Sequence, residues 1–365
     1  MSASKKLSAP VPPGGTIGIL GGGQLGRMLA LAAARLGLKT HIFSDRADAP
    51  AFDVAAAHTL ARFDDRSALE RFARACNALT FEFENVPADA VAWVSALAPT
   101  NPNARAAETA QDRLAEKNFV RSLGVPTAAY QGARTEDEAA RAFDSLGAAK
   151  AVLKTCRYGY DGKGQAVVAS ASEAARAFRA LKGVPAILEA FVGFAFEASV
   201  IAARAGNGAF AAYDPPENTH REGILRRSVV PGRIPKPVAS EAKAIAKKIA
   251  DALDYVGVIA VEFFVKSDGA LLVNEIAPRV HNSGHWTIEA CAVSQFEQHV
   301  RAIAGWPLGD PKRHANAVME NIIGEEAEAW EPLAARGGGL HLYGKTEIRP
   351  GRKMGHITLL SALSE

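Results

Sequence analysis

Gly21-Gly22-Gly23-Gln24-Leu25-Gly26 joins an apolar stretch, Thr16 to Leu20, to a segment in which Leu25, Met28, Leu29, Ala32 and Leu36 recur at helical spacing. A short strand that turns on glycines straight into a helix is the opening of a strand–helix–strand unit. Gly37 stops the helix, and Lys39 to Phe43 and Ala78 to Phe83 supply further strands before about Asn103. Parallel strands need crossover helices, so this part reads as a parallel, doubly wound α/β sheet. The glycine pattern, with Asp45 following Gly26 by 19 residues, fits a dinucleotide site in which backbone approaches phosphate at a helix N-terminus. It equally fits a tight turn or a site for another phosphate.

The grammar changes after about residue 109. A helix from Thr109 to Leu123 should end at Gly124, with Pro126 just beyond, and Thr135-x-x-Glu138 forms a capping box for the next one. Arg157-Tyr158-Gly159-Tyr160-Asp161-Gly162-Lys163-Gly164-Gln165 then joins two strands (Ala151 to Thr155 and Gln165 to Ala169) instead of opening a helix. It is therefore no Walker loop. It suits a flap over a triphosphate, or a solvated hairpin loop. Lys154 ends the first strand, where it reaches a phosphate or solvent. Strands at Ala186 to Phe191 and Phe196 to Ala205, a helix from Ser240 to Leu253 and short strands beyond Leu308 complete the pattern.

Asp268-Gly269 is a strong two-residue hairpin signal between Val258 and Ile276. If Ser267 faces Ala270, Glu262 falls directly opposite Glu275 on the same face. Two carboxylates so placed within apolar strands repel each other. A cation between them removes the conflict, and oxygen ligands point to Mg²⁺, with Asn274 able to add an amide oxygen if the strand bends there. A one-residue slip, or a carboxylate facing solvent, would remove the conflict as well. The loop that follows, Ala277 to Trp286, offers the guanidinium of Arg279 and the polar groups of His281, Asn282 and Ser283. His281 and His285 are four apart, but no third ligand nearby in sequence suggests zinc. Arg349-Pro350-Gly351-Arg352-Lys353 reads as an anion clamp or a solvated turn.

Composition narrows the classes. The 365 residues include 42 Lys or Arg against 39 Asp or Glu, for a net charge of +3. That balance argues against nucleic-acid binding by bulk charge. No apolar run reaches the roughly 18 residues that span a bilayer, and the leader lacks the apolar core of a signal peptide. Three widely spaced cysteines fit a reducing, cytoplasmic setting.

These stretches, with Phe81-Glu82-Phe83-Glu84-Asn85-Val86-Pro87, Asn274 to Thr287 and Arg349 to His356, occur in the order found in ATP-grasp carboxylate–amine ligases. Within that superfamily the chain resembles the 5-(carboxyamino)imidazole ribonucleotide synthetases of the PurK type, from Thr16 to its end. The resemblance implies an ATP-grasp fold with an N-terminal Rossmann-like domain and a small C-terminal β-rich domain: a flexible leader 1–15, then 16–108, 109–307 and 308–365. It implies a homodimeric, cytoplasmic enzyme that uses ATP, Mg²⁺ (two ions) and bicarbonate to carboxylate 5-aminoimidazole ribonucleotide through carboxyphosphate. Arg113, Lys154, Gly159 to Gln165, Glu189, Ala190, Phe191, Val192, Glu197, His220, Asn274 and Glu275 would hold ATP, and Glu262 and Glu275 the metal. Gly23, Gln24, Leu25, Glu82 or Glu84, Asp161, Arg279, His281, Asn282, Ser283, Lys345, Arg352 and Lys353 would line the ribonucleotide site, with Arg279, Lys353 and Tyr160 acting on the reacting groups. Tyr158 departs from the pattern, standing where glycine is usual. A nicotinamide-dependent oxidoreductase built on the first glycine turn is the rival reading.

Overall fold

The computed structural model describes residues 5–159 and 164–363. Its N-terminal part is a four-stranded parallel sheet of β1 (Thr16–Leu20), β2 (Lys39–Ser44), β3 (Ala57–Leu60) and β4 (Ala78–Phe81), in the order β3-β2-β1-β4. Helices α1 (Gln24–Arg35) and α2 (Arg66–Arg74) supply the β1–β2 and β3–β4 crossovers, and α3 (Ala88–Leu97) packs against α2. With both faces covered, β1 and β4 are apolar almost throughout, as buried parallel strands must be.

The expected helix from Thr109 to Leu123 is instead two helices, α4 (Ala104–Gln111) and α5 (Arg113–Ser122). Asp112 separates them with extended backbone and caps α5, accepting from the N–H groups of Leu114 and Ala115 at 3.0 Å each. Sequence periodicity does not register a break of one residue, and this one turns Arg113 toward the cleft described below.

A second sheet, antiparallel and four-stranded, holds β5 (Tyr130–Ala133), β6 (Ala151–Thr155), β7 (Gln165–Val168) and β8 (Ala186–Ala190) in the order β5-β8-β6-β7. Helices α6 (Glu136–Leu146) and α7 (Ala171–Ala180) close one face around Leu153, Phe178 and Leu188. Thr135 caps α6 as expected, while the Glu138 carboxylate reaches the N–H of Arg134 rather than that of Thr135.

The third sheet has nine strands: β9 (Phe196–Arg204), β10 (Phe210–Ala212), β11 (Glu217–Arg221), β12 (Ile224–Val230), β13 (Gly257–Val265), β14 (Leu271–Ala277), β15 (Asn316–Ile323), β16 (Gly339–Leu342) and β17 (Lys353–Ser361). Their order is β14-β13-β9-β11-β12-β15-β17-β16, with β10 on the β11 side of β9, farther along the strand. Helices α8 (Lys236–Ala252), α9 (Thr287–Ala290) and α10 (Gln295–Ile303) pack on it, and α11 (Trp330–Ala334) lies between β15 and β16. The tail beyond Leu308 thus extends this sheet through the β12–β15 pairing, which covers the edge of β12.

From Lys5 on, the described part of the leader packs against the body. Val11 is buried, its N–H donates to Ala304 O at 2.9 Å, and its carbonyl accepts from the Trp306 indole at 2.7 Å. Proline and glycine there set a bent path along the body; apolar Val11 fastens it.

Candidate active site

The three sheets meet around a cleft of about 780 Å³. Its floor is the hairpin β13–β14. Glu262 lies opposite Glu275, as the sequence suggested, but the route differs. The turn is not a two-residue one: Lys266 pairs with Ala270 across a three-residue loop closed by Gly269 at φ +84°. That shifts the register by one, and a bulge at Asn274 shifts it back. The bulge also leaves Asn274 Oδ1 buried without a hydrogen-bond partner among the described residues.

Charge on the floor is strongly structured. Burial and the neighbouring Glu275 push the Glu262 carboxyl up, whereas for Glu275 burial is outweighed by the Arg113 guanidinium 3.0 Å away, which holds it down. His281 Nε2 stands 3.4 Å from Glu262, and burial beside Arg279 pushes this imidazole down to about 3, so it is neutral. Beneath the floor, Glu116 accepts the Ile276 N–H, and burial together with Glu275 raises it to about 8. Lys117 donates to Asn274 O at 2.7 Å and Val273 O at 3.2 Å, and so braces the bulge.

On the next wall Lys154 and Lys117 flank Glu189 at 3.1 and 3.3 Å. The Glu189 carboxylate, expected to meet nucleotide, is thus buried between two lysines and does not line the cleft. Phe191, Glu197 and His220 do line it, and His220 Nδ1 is 2.7 Å from Glu197, a hydrogen bond that raises the imidazole against its burial. Arg157 turns away to Gln111. Tyr158 has φ +60°, the left-handed region where glycine is usual. Tyr160, Asp161, Gly162 and Lys163 lie outside the described residues.

The opposite wall is basic, formed by Arg46, Arg279, Lys345, Arg349, Arg352 and Lys353. Glu84 ion-pairs with Arg279 and fixes its fork. Glu82 plays a different part: its oxygens accept the N–H groups of Gly23 at 2.7 Å and Gly26 at 3.0 Å. The α1 N-terminus therefore already holds an anion of the chain itself, and a dinucleotide phosphate has no place there. That removes the oxidoreductase reading. Gly23 serves this packing, since a Cβ on it would lie 2.7 Å from Glu82 Oε1, while Gln24 and Leu25 face the cleft. Asn282 lines the cleft, but Ser283 is fully buried, 2.8 Å from His281 Nδ1 and 2.7 Å from Ser199, so it props His281.

Arg46, Glu116 and Phe264 were not expected at the cleft. Phe264 follows Glu262 by one strand period and was legible from that alone; Arg46 and Glu116 carry no local signal.

Comparison with known proteins gives a consistent set of relatives. Family models match residues 15–111 as a ribonucleotide synthetase preATP-grasp domain, 118–296 as an ATP-grasp domain and 317–365 as a phosphoribosylaminoimidazole carboxylase C-terminal domain. N5-carboxyaminoimidazole ribonucleotide synthase from Brucella melitensis is 51% identical over 349 residues, covering 95% of this chain and 96% of its own. The crystal structure of the synthetase from Thermus thermophilus superposes with a TM-score of 0.88 at 45% identity, over 94% of this chain and 93% of that one. The synthase from Aspergillus clavatus, solved in complex with ADP and 5-aminoimidazole ribonucleotide, gives 0.89 at 32% identity, over 96% and 94%.

Proposed function

The chain belongs to the N5-carboxyaminoimidazole ribonucleotide synthases, ATP-grasp ligases of purine synthesis, and from that premise we propose how its cleft carries the reaction. ATP enters between the second and third sheets, with Arg113 and Lys154 against its phosphates and Phe191, Glu197 and His220 toward the nucleoside. Gly159 and Gln165, the residues of the glycine-rich loop that line the cleft, face the same nucleotide. 5-Aminoimidazole ribonucleotide lies on the basic wall, its phosphate near Lys345, Arg352 and Lys353 and its ring toward Arg279, His281 and Asn282.

The observation that carries this reading is one cleft with an acidic floor of Glu262 and Glu275 facing a wall of six cations. The floor suits Mg²⁺: two carboxylates on one face and the unpartnered Asn274 oxygen are hard donors. Glu262, Glu275 and Asn274 would hold the metal, which when bound neutralises charge on the transferring phosphoryl group. A bicarbonate oxygen bonds to the γ-phosphorus as ADP leaves, giving carboxyphosphate. The exocyclic amine then bonds to the carboxyl carbon, phosphate leaves, and the amine gives up a proton. Arg279 and Lys353 stabilise the carboxyphosphate charge, so catalysis is chiefly positioning and electrostatics. A homodimer in the cytoplasm belongs to the same proposal; among the described residues no helix is long and apolar enough to cross a membrane.

The decisive measurement is ADP release with Mg²⁺, with each substrate omitted in turn. Release should require both the ribonucleotide and bicarbonate. ATP turnover indifferent to the ribonucleotide would refute the assignment.

A further inference from the structure

Behind the cleft, on the far side of the His281–Trp286 loop, the fold gathers a second group of ligands. His341 on β16 and His356 on β17 are direct cross-strand partners, and their rings stack at 4.6 Å between centroids and 11° between planes. Glu289 on α9 reaches up to them, one carboxylate oxygen lying 2.6 Å from His341 Nε2. One ligand atom from each of Glu289, His341 and His356 falls within 4.8 Å of the other two. A ligand set this close needs only a small contraction to surround one ion.

Glu289 Oε2 and His356 Nε2 are buried acceptors without a hydrogen-bond partner among the described residues, and the neighbouring His285 Nε2 is buried without one as well. An unmade hydrogen bond on a buried polar atom costs about 1–3 kcal/mol, so a pair in one cluster points to something that satisfies both. His356 is fully buried and Tyr343 Oη lies 2.8 Å from its Nδ1. With Nδ1–H donating to that oxygen, the Nε2 lone pair is free to coordinate, the outer partnership that metal-bound histidines ordinarily have. Burial and the neighbouring His341 push the His356 imidazole well down, so it stays neutral, as a ligand must be. Gly339 makes room, since a Cβ there would lie 2.4 Å from Glu289 Cγ. Glu289 and His341 retain 17% and 28% side-chain exposure, which leaves an entry path for an ion.

His285 completes the surroundings, its ring centroid 4.8 Å from that of His356. Gln295 fixes its tautomer. The Gln295 oxygen accepts from His281 N, so its amide donates to His281 O and to His285 Nδ1, leaving the proton of His285 on Nε2. His285 is therefore a neighbour and not a ligand. Sequence spacing gave it no metal partners; the fold brings three potential ligands beside it.

We propose that Glu289, His341 and His356 form a binding site for one zinc-class divalent ion, separate from the Mg²⁺ floor. Two imidazoles with one carboxylate form a ligand set for zinc, not for magnesium, and leave one position for water. The ion would tie β17, which begins at Lys353, to α9, which follows the His281–Trp286 loop, and so hold the two sides of the ribonucleotide wall together.

The test uses untagged, chelator-stripped protein titrated with Zn²⁺ by calorimetry under saturating Mg²⁺, with Co²⁺ absorption as a second readout. One equivalent should bind, and the unfolding temperature should rise with Zn²⁺ concentration. His341→Gln, at a partly exposed position, and Glu289→Gln should each weaken binding more than about tenfold. Glu262→Gln should leave it unchanged. Failure to bind one equivalent, or full binding in both His341→Gln and Glu289→Gln, would overturn the site; loss of binding in Glu262→Gln would place the ion on the floor instead and overturn it equally.

Discussion

Glu82 Oε1 accepts the N–H of Gly23 at 2.7 Å, so the residue after one parallel strand serves as the anion of a neighbouring helix. The second oxygen takes Gly26 N–H, and both N–H groups lie in the positive end of the α1 dipole. Burial pushes this carboxyl up in spite of the two hydrogen bonds. Glu82→Gln replaces one acceptor with an amide that faces an N–H, and it should cost about 1–3 kcal/mol of stability in denaturant unfolding. NADH should show no binding to the native protein at micromolar concentrations. A Glu82→Gln variant as stable as the native chain would mean that the glycine turn does not depend on this carboxylate.

Lys117 and Lys154 both pair with Glu189, yet they should fail differently when lost. Lys117 is fully enclosed and also binds the two carbonyls at the Asn274 bulge. Lys117→Met leaves Glu189 paired with Lys154 but takes the donor from both carbonyls, and two buried acceptors unsatisfied at about 1–3 kcal/mol each should lower stability by about 2–5 kcal/mol. Lys154 faces the cleft. Lys154→Met should therefore weaken ATP binding at least tenfold with a smaller loss of stability. Unfolding curves paired with nucleotide titration separate the two; equal stability losses would contradict the division.

The hairpin shows how such a site is legible and where it is not. Glu262 and Glu275 face each other because a longer turn and a bulge displace the register in opposite directions, so a simple pairing rule reached the right pair through two offsetting departures. Alternation within β13 and β14 is a local property, and the polar interruptions at Glu262, Asn274 and Glu275 stand out against it. Glu116 and Lys117 give no such signal. On a helix they read as a solvated charged face, and only packing of α5 beneath β14 makes them buried. The β12–β15 pairing is likewise invisible locally, because residues 231–315 separate its two strands. Long-range contacts also brought Glu289 to His341 and His356, which no spacing within the chain foretells.

Glu275 is the floor residue most exposed to test, because Arg113 already neutralises it in the free protein. Glu275→Gln removes the charge that a divalent cation and Arg113 share, while keeping side-chain size. Ligase turnover should fall by more than about 100-fold, of the order seen when a charge-stabilising group is removed. The Mg²⁺ concentration for half-maximal rate should rise. Turnover within a few-fold of native would show that Glu262 and Asn274 suffice.

Acid sensitivity follows from His299. It is fully buried, accepts Val258 N–H on Nδ1 at 3.0 Å, and so donates from Nε2 to Thr80 Oγ1 at 2.8 Å, joining β13 to β4 through α10. A proton on Nδ1 would set two N–H groups against each other, and burial pushes the imidazole from 6.5 down to about 3. The unfolded chain therefore binds the extra proton between those two values. The stability that His299 contributes is complete above pH 6.5 and is lost as the pH falls toward 3. The slope for one such group approaches about 1.4 kcal/mol per pH unit. His281, His285 and His356 are lowered too and add to it. Glu116, Glu262, Glu82 and His220 are raised in the fold and act in the opposite sense, so the measurement is a difference: between pH 7 and 5 the stability of the native chain relative to His299→Gln, read from denaturant unfolding, should fall with a slope approaching that of one proton. A parallel pair of curves would mean that His299 does not titrate on unfolding.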